Sequence, residues 1–133
     1  MKTECQADFV QLNGKRYPCT VSLAMDLIGG KYKATILYHL QDGVKRFGEL
    51  HACLNAATEA VLSKQLKELE QDGLVSRTQY GIKPPVKTEY ALTDFGRTTI
   101  PVLQAVTQWG NRVALEKGVW EECLHEQVGS GKR

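Results

Sequence analysis

Residues 58–79 read TEAVLSKQLKELEQDGLVSRTQ, and two different periods run through them. Up to Gln71 the apolar residues Val61, Leu62, Leu66 and Leu69 recur at three- and four-residue steps, which gathers them on one side of an α-helix. Thr58 stands where an N-cap belongs, with a hydroxyl that can accept from a free backbone N–H. Asp72-Gly73 ends the helix. From Leu74 to Tyr80 the β-branched and aromatic content reads as a strand. The pattern predicts an inward stripe of Val61, Leu62, Leu66 and Leu69. It leaves Glu59, Ala60, Ser63, Lys64, Lys67 and Gln71 facing out, and the function turns on what that outer face meets.

Downstream, a glycine and two adjacent prolines between Gly81 and Pro85 stop both ladder and helix. Val86 to Leu92 reads as a returning strand, so the pair is a hairpin with a stiff, basic tip. Thr93 is expected to cap a last long helix carrying Ile100, Leu103, Val106, Trp109 and Val113 at helical spacing. Pro101 within it marks either a kink or the start of the regular part. The final GSGKR is expected to be disordered.

Upstream, residues 1–17 are polar and hold the turn signal Asn13-Gly14, which predicts an irregular arm. After Pro18, the residues Val21, Leu23, Ala24, Leu27 and Ile28 suggest a short helix stopped by Gly29-Gly30. A second helix is expected from Lys31, burying Tyr32, Ile36, Leu37 and Leu40, and ending at Asp42-Gly43. A third, over roughly 47–54, places Phe47, Leu50 and Leu54 together. Asn55-Ala56-Ala57 links it to the helix quoted first. No internal repeat is present.

A chain of 133 residues is long enough for one real core, and its 42% hydrophobic and 24% charged content is that of an ordinary globular domain. No apolar run is long enough to span a bilayer, and MKTECQADF lacks a signal-peptide core, so a cytoplasmic protein with no membrane partner is expected. The net charge of +2 is uninformative, but its distribution is not. Residues 77–87 contain Arg77, Lys83 and Lys87 and no acid, whereas 88–133 hold five bases against six acids. A local cationic segment of this kind suits phosphate, although a run this short also suits a solvated loop.

Of the four cysteines, Cys5, Cys19, Cys53 and Cys123, none forms a CxxC pair. The pairs His51/Cys53 and Cys123/His125 have i, i+2 spacing, which splits them between helix faces, so neither a metal site nor any cofactor is expected. No HExxH, GxSxG, P-loop or Rossmann fingerprint occurs, and no motif supplies a histidine to a cysteine nucleophile, so the chain is not expected to be an enzyme.

Short helices, the second and third tightly joined ahead of the quoted helix, then a hairpin: the order is that of a winged helix-turn-helix, mainly α with a β-hairpin wing. In that arrangement the recognition helix enters the major groove by its first residues, and the wing tip lies on flanking backbone or minor groove. The bland alternative for Lys64 and Lys67 is a solvated helix face, and the acid-free hairpin tip favours DNA over it.

Several local runs extend this reading: Leu27-Ile28-Gly29-Gly30-Lys31-Tyr32-Lys33, Arg46-Phe47-Gly48-Glu49-Leu50, the run from Leu62 to Val75, Pro84-Pro85, Glu89-Tyr90-Ala91-Leu92-Thr93-Asp94-Phe95-Gly96, Ile100-Pro101-Val102-Leu103 and Trp109-Gly110. In combination they resemble the HxlR-type branch of bacterial winged-helix transcription regulators, related in fold to the MarR group. The match extends from about Cys19 to Gly110, with Tyr32 where the family usually has Trp. The resemblance implies a homodimer on a pseudo-palindromic double-stranded DNA operator, with dimer contacts from the N-terminal segment and the C-terminal helix. It divides the chain into an arm (1–18), a DNA-binding domain (19–96), a dimerisation helix (97–124) and a tail (125–133).

The residues expected at DNA are Arg46, Thr58, Glu59, Ala60, Ser63, Lys64, Lys67, Arg77, Lys83 and Lys87. Relatives often carry a polar, basic run where this chain has Thr58-Glu59-Ala60. Glu59 can accept from cytosine N4 and Ala60 can pack on a thymine methyl, so the base sequence does not transfer with the binding mode. Glu59 equally suits a purely local role at the helix dipole, worth about 0.5 kcal/mol. Cys19 precedes a helix start near Lys15 and Arg16, a setting that favours thiolate, although most such cysteines simply pack. In the resembling family a cysteine here, in a Cys-Pro-Val context, senses quinones, aldehydes or oxidants in several members; this chain has Cys19-Thr20-Val21. The resemblance therefore implies a redox-sensing Cys19 and a small electrophile or oxidant as inducer; from its place near the far end of the last helix Cys123 is a candidate partner thiol, and Cys5 is a second candidate. The competing readings are a winged helix used for protein or RNA contact, and a thiol-dependent enzyme.

Overall fold

The computed structural model describes residues 10–84 and 86–118. Two short strands come first, β1 (Val10–Leu12) and β2 (Lys15–Tyr17), paired antiparallel with Leu12 opposite Lys15. This part of the expected irregular arm is therefore a hairpin. Asn13 and Gly14, at φ 51° and 81°, form the two-residue left-handed turn whose twist suits a tight β-hairpin. Tyr17 is buried at its end, and its hydroxyl donates to Asp26 Oδ2 at 2.6 Å.

Helices α1 (Thr20–Ile28) and α2 (Lys33–Leu40) follow, then the two-residue strand β3 (Lys45–Arg46) and helix α3 (Phe47–Cys53). The quoted stretch is α4 (Glu59–Gln71) followed by β4 (Val75–Tyr80). Thr58 caps α4, its Oγ1 accepting from Val61 N–H at 3.1 Å. Strand β5 (Lys87–Leu92) returns antiparallel to β4, from Val75 opposite Leu92 out to Tyr80 opposite Lys87. Strand β3 pairs with the other edge of β5, giving the order β3-β5-β4. Two residues were too few for any periodicity to announce β3.

The core joins Ile36, Leu37 and Leu40 of α2, Leu50 of α3, Leu62, Leu66 and Leu69 of α4, Leu74 just before β4, and Val75, Tyr90 and Leu92 of the sheet. Val61 is not part of it. At 39% exposure it lies outside the inward stripe, because Leu62, Leu66 and Leu69 already define the buried line and Val61 sits one residue, about 100°, off it. On β4 only Val75 is buried, so the wing stands away from the core beyond its base.

Thr93 caps a four-residue helix, α5 (Asp94–Arg97), rather than one long helix. The chain breaks at Thr98-Thr99 and resumes as α6 (Ile100–Lys117). Pro101 thus marks the start of the regular helix, in the first turn where no N–H is needed. The Thr93 hydroxyl donates to the Gly73 carbonyl at 2.6 Å and accepts from Gly96 N–H at 2.8 Å. Gly96 is pressed so close that a Cβ there would collide with the Leu74 carbonyl oxygen.

The chain divides into two compact units between Leu103 and Gln104, inside α6. The first holds all the elements above and the opening turn of α6, with Leu103 in the core. The second, described as far as Gly118, is the rest of α6. On it Val106, Trp109 and Val113 are exposed at helical spacing, and Arg112 pairs with Glu116 at 2.7 Å.

Candidate nucleic-acid interface

The buried leucines of α4 decide what its other side presents. With Leu62, Leu66 and Leu69 turned into the core, Thr58, Glu59, Ala60, Ser63, Lys64 and Lys67 are all exposed. Lys64 and Lys67 form no ion pair with a carboxylate among the described residues. Glu59 lies in the first turn, where a carboxylate complements the positive end of the helix.

The wing carries the other cations. Arg77 is exposed and donates to Gln79 Oε1 at 3.0 Å. Lys83 is exposed in the tip. Lys87 lies 5.4 Å from the centre of the Tyr80 ring and 3.7 Å from Glu89 Oε2. Arg46 reaches the same region through β3: its pairing with β5 places Arg46 opposite Glu89. Arg46 and Lys87 consequently line one groove of about 340 Å³, together with Phe47, Gly48, Val86 and Thr88. The structure therefore groups Arg46 with the wing, and holds Thr58 to Lys67 on the separate outward face of α4.

Sequence reasoning passed over the residues that hold α4 in place. Lys33 is buried, and its Nζ lies 2.8 Å from Glu68 Oε1 on α4. The hydrogen bond from this ammonium holds the Glu68 carboxyl below its usual range, with desolvation opposing. One residue earlier, Tyr32 N–H donates to Gln65 Oε1 at 3.0 Å. His51 Nε2 lies 2.9 Å from the Ala57 carbonyl, tying α3 to the connector just before α4. The Gly29-Gly30-Lys31-Tyr32-Lys33 run was legible as a motif, but nothing in its spacing showed that its partners were Gln65 and Glu68.

Cys19 is the N-cap of α1. Its Sγ accepts from Ser22 N–H at 3.5 Å and lies 3.4 Å from Ser22 Oγ, and the residue is half-buried. Cys53 is exposed at the end of α3. Cys5 and Cys123 lie outside the described residues. Tyr90 is buried and Phe47 packs on the core, whereas Phe95 and Trp109 are exposed in the single chain. No described helix is long and apolar enough to cross a membrane.

Comparison with known proteins agrees with the fold. The family model described as HxlR-like helix-turn-helix matches residues 27–117. A relative named HTH-type transcriptional regulator YdeP, from Bacillus subtilis, is 47% identical over 94 residues, covering 71% of this chain and 73% of its own. The solved structure of the redox regulator HypR in its oxidised form is 44% identical with a TM-score of 0.66, covering 71% of this chain and 96% of that one. The reduced form of the regulator YodB from B. subtilis is 30% identical with a TM-score of 0.61, covering 75% and 95%.

Proposed function

The chain belongs to the HxlR-like helix-turn-helix family of transcription regulators, and on that premise we propose that it binds an operator as a dimer, reading the major groove with α4. The observation that carries the reading is the division of α4 into a leucine face locked in the core and an exposed lysine face that forms no ion pair among the described residues. Ser63, Lys64 and Lys67 meet phosphate and base edges, and Thr58, Glu59 and Ala60 stand at the helix start where base contacts are made. Arg46, Arg77, Lys83 and Lys87 meet flanking phosphates. Two copies place two recognition helices on half-sites of a pseudo-palindrome, and the exposed Val106, Trp109 and Val113 supply apolar surface for their association.

Binding is tested by fluorescence anisotropy on duplex DNA from the intergenic region upstream of the gene. Saturable binding that weakens steeply with salt supports the reading; no binding at low salt defeats it.

A thiol response belongs to the same proposal. It is supported by the placement of Cys19 sulfur at a helix N-cap with an N–H aimed at it, an arrangement that stabilises thiolate, and by similarity to a regulator named for redox control. The thiolate adds to an electrophile such as a quinone, or an oxidant takes two electrons and two protons from Cys19 and a second thiol to form a disulfide. Cys123 is the candidate second thiol. The test is DNA binding before and after benzoquinone or diamide. A response abolished by Cys19→Ser supports the sensor role; an unchanged response in that variant removes it and leaves DNA binding intact.

A further inference from the structure

A cavity of about 350 Å³ opens between the β1–β2 hairpin, α1, the start of α2 and the far end of α4. It lies within the first compact unit, and no residue of the wing lines it. Five charged side chains do: Lys15, Asp26, Lys33, Glu68 and Asp72. The two ammonium groups are matched one to one, Lys15 with Asp26 at 3.4 Å and Lys33 with Glu68 at 2.8 Å. Asp72 forms no ion pair among the described residues. Its charge nonetheless reaches across the cavity, where it adds to the effects that raise the Tyr17 phenol.

That lining selects a ligand by charge. Three carboxylates stand against two ammonium groups, so the cavity keeps one negative charge. Glu68 and Asp72 are one turn apart at the end of α4, a spacing at which like charges repel. The same end of α4 is the negative pole of the helix, and its last turn holds no basic residue. Leu12 and Leu27 add hydrocarbon to the wall. A volume near the lower bound of ordinary ligand cavities suits a small molecule. Among the described residues no three His, Cys, Asp or Glu side chains converge as metal ligands do, which favours an organic cation over a metal ion.

We infer that this cavity binds a small organic cation, an amine or guanidine on a short hydrocarbon chain, with its nitrogen between Glu68 and Asp72 and its chain against Leu12 and Leu27. The N–H groups of such a cation donate charge-assisted hydrogen bonds to the carboxylate oxygens. Glu68 is also the residue that Lys33 holds. A bound cation competes with Lys33 for that carboxylate, so occupancy loosens the grip of α2 on α4. Resting on the DNA-binding reading above, the ligand is an effector that lowers operator affinity, and DNA lowers the affinity for the ligand by the same factor.

The experiment is calorimetric titration of the full chain with butylguanidine at constant ionic strength, with butyrate and 1-butanol as controls. Saturable binding of butylguanidine with a Kd of about 1 mM or below, and none of either control, is expected. Asp72→Asn should weaken it by about tenfold or more. Gln71→Lys sets an ammonium of the chain's own on the cavity wall, so it should abolish binding while the melting temperature stays at or above that of wild type, because the new charge complements the end of α4. No saturable binding by wild type, equal binding of butyrate, or binding undiminished in both variants overturns the site. Fluorescence anisotropy on the upstream intergenic duplex, with and without butylguanidine, reads the effector role. Wild type is expected to bind DNA about fivefold more weakly with the ligand present, and Asp72→Asn to show no change. Ligand binding with unchanged DNA affinity overturns the effector role alone. A chain that binds no duplex overturns the operator reading, and the effector role with it, while the titration still decides the site.

Discussion

Lys33 Nζ sits 2.8 Å from Glu68 Oε1, joining the start of α2 to the side of α4. The lysine is buried and the carboxylate is partly open to water, which moderates both the desolvation cost and the attraction. Lys33→Met is therefore expected to lower stability by about 1–2 kcal/mol. It should also weaken DNA binding without changing the salt slope, since Lys33 does not face the duplex. Denaturant unfolding and a salt series on the same variant check both parts.

Lys64 and Lys67 are predicted to behave in the opposite way. Each is exposed and forms no ion pair with a described carboxylate, so replacement by alanine should leave stability within about 0.5 kcal/mol of wild type. Each replacement should reduce the log–log salt slope of binding by about 1. An unchanged slope in both would take α4 out of the interface.

The link between the hairpin and α1 is predicted to depend on pH at both ends of the scale. The hydrogen bond to Asp26, with smaller contributions from burial and the carboxylate charge, pushes the Tyr17 hydroxyl up to about 12 from its ordinary 10.0. The same bond, helped by Lys15, lowers the Asp26 carboxyl from 3.8. A raised phenol favours the fold below its ordinary value and loses that contribution as pH climbs through 10 to about 12. A lowered carboxyl favours the fold above 3.8 and loses its contribution as pH falls below that. Tyr17→Phe should flatten both flanks of the stability profile, measured as melting temperature against pH.

Gly96→Ala is expected to destabilise the fold by about 2 kcal/mol or more, because the added methyl meets the Leu74 carbonyl, which is backbone and has little room to retreat. Thr93→Ala should also destabilise, by about 1 kcal/mol, through loss of the α5 cap. Thermal unfolding of the two variants gives the comparison.

The dimer proposed above predicts that Trp109→Glu, on the exposed line of α6, gives a monomer in sedimentation while leaving the melting of the first unit, which ends at Leu103, nearly unchanged. A variant that remains dimeric would remove this face from the association.

The elements that could be read from the sequence were those whose signal is local and repeated. The α4 stripe, the Thr58 cap, the glycine stops and the wing strands each rest on a few neighbouring residues, and the structure has them. The elements missed were set by partners far along the chain. Strand β3 exists because Lys45 and Arg46 find β5, more than forty residues on. Val61 fits the helical period yet is exposed, since periodicity defines a face only to within one residue. Asn13-Gly14 was recognised as a turn, but the three-residue strands around it were too short to stand out from a polar arm. For the candidate interface, exposure of Glu59, Ala60, Ser63, Lys64 and Lys67 follows from the α4 pattern. The clamp of Tyr32 and Lys33 on Gln65 and Glu68 did not, because side-chain pairing across helices leaves no periodic trace.

The pairing of β3 with β5 has one more effect. It bolts the start of α3 to the wing through backbone hydrogen bonds, so the spacing between Arg46 and Lys87 is a property of the sheet and not of a swinging loop. The two backbone positions keep their separation for as long as the sheet holds, whatever their side chains do.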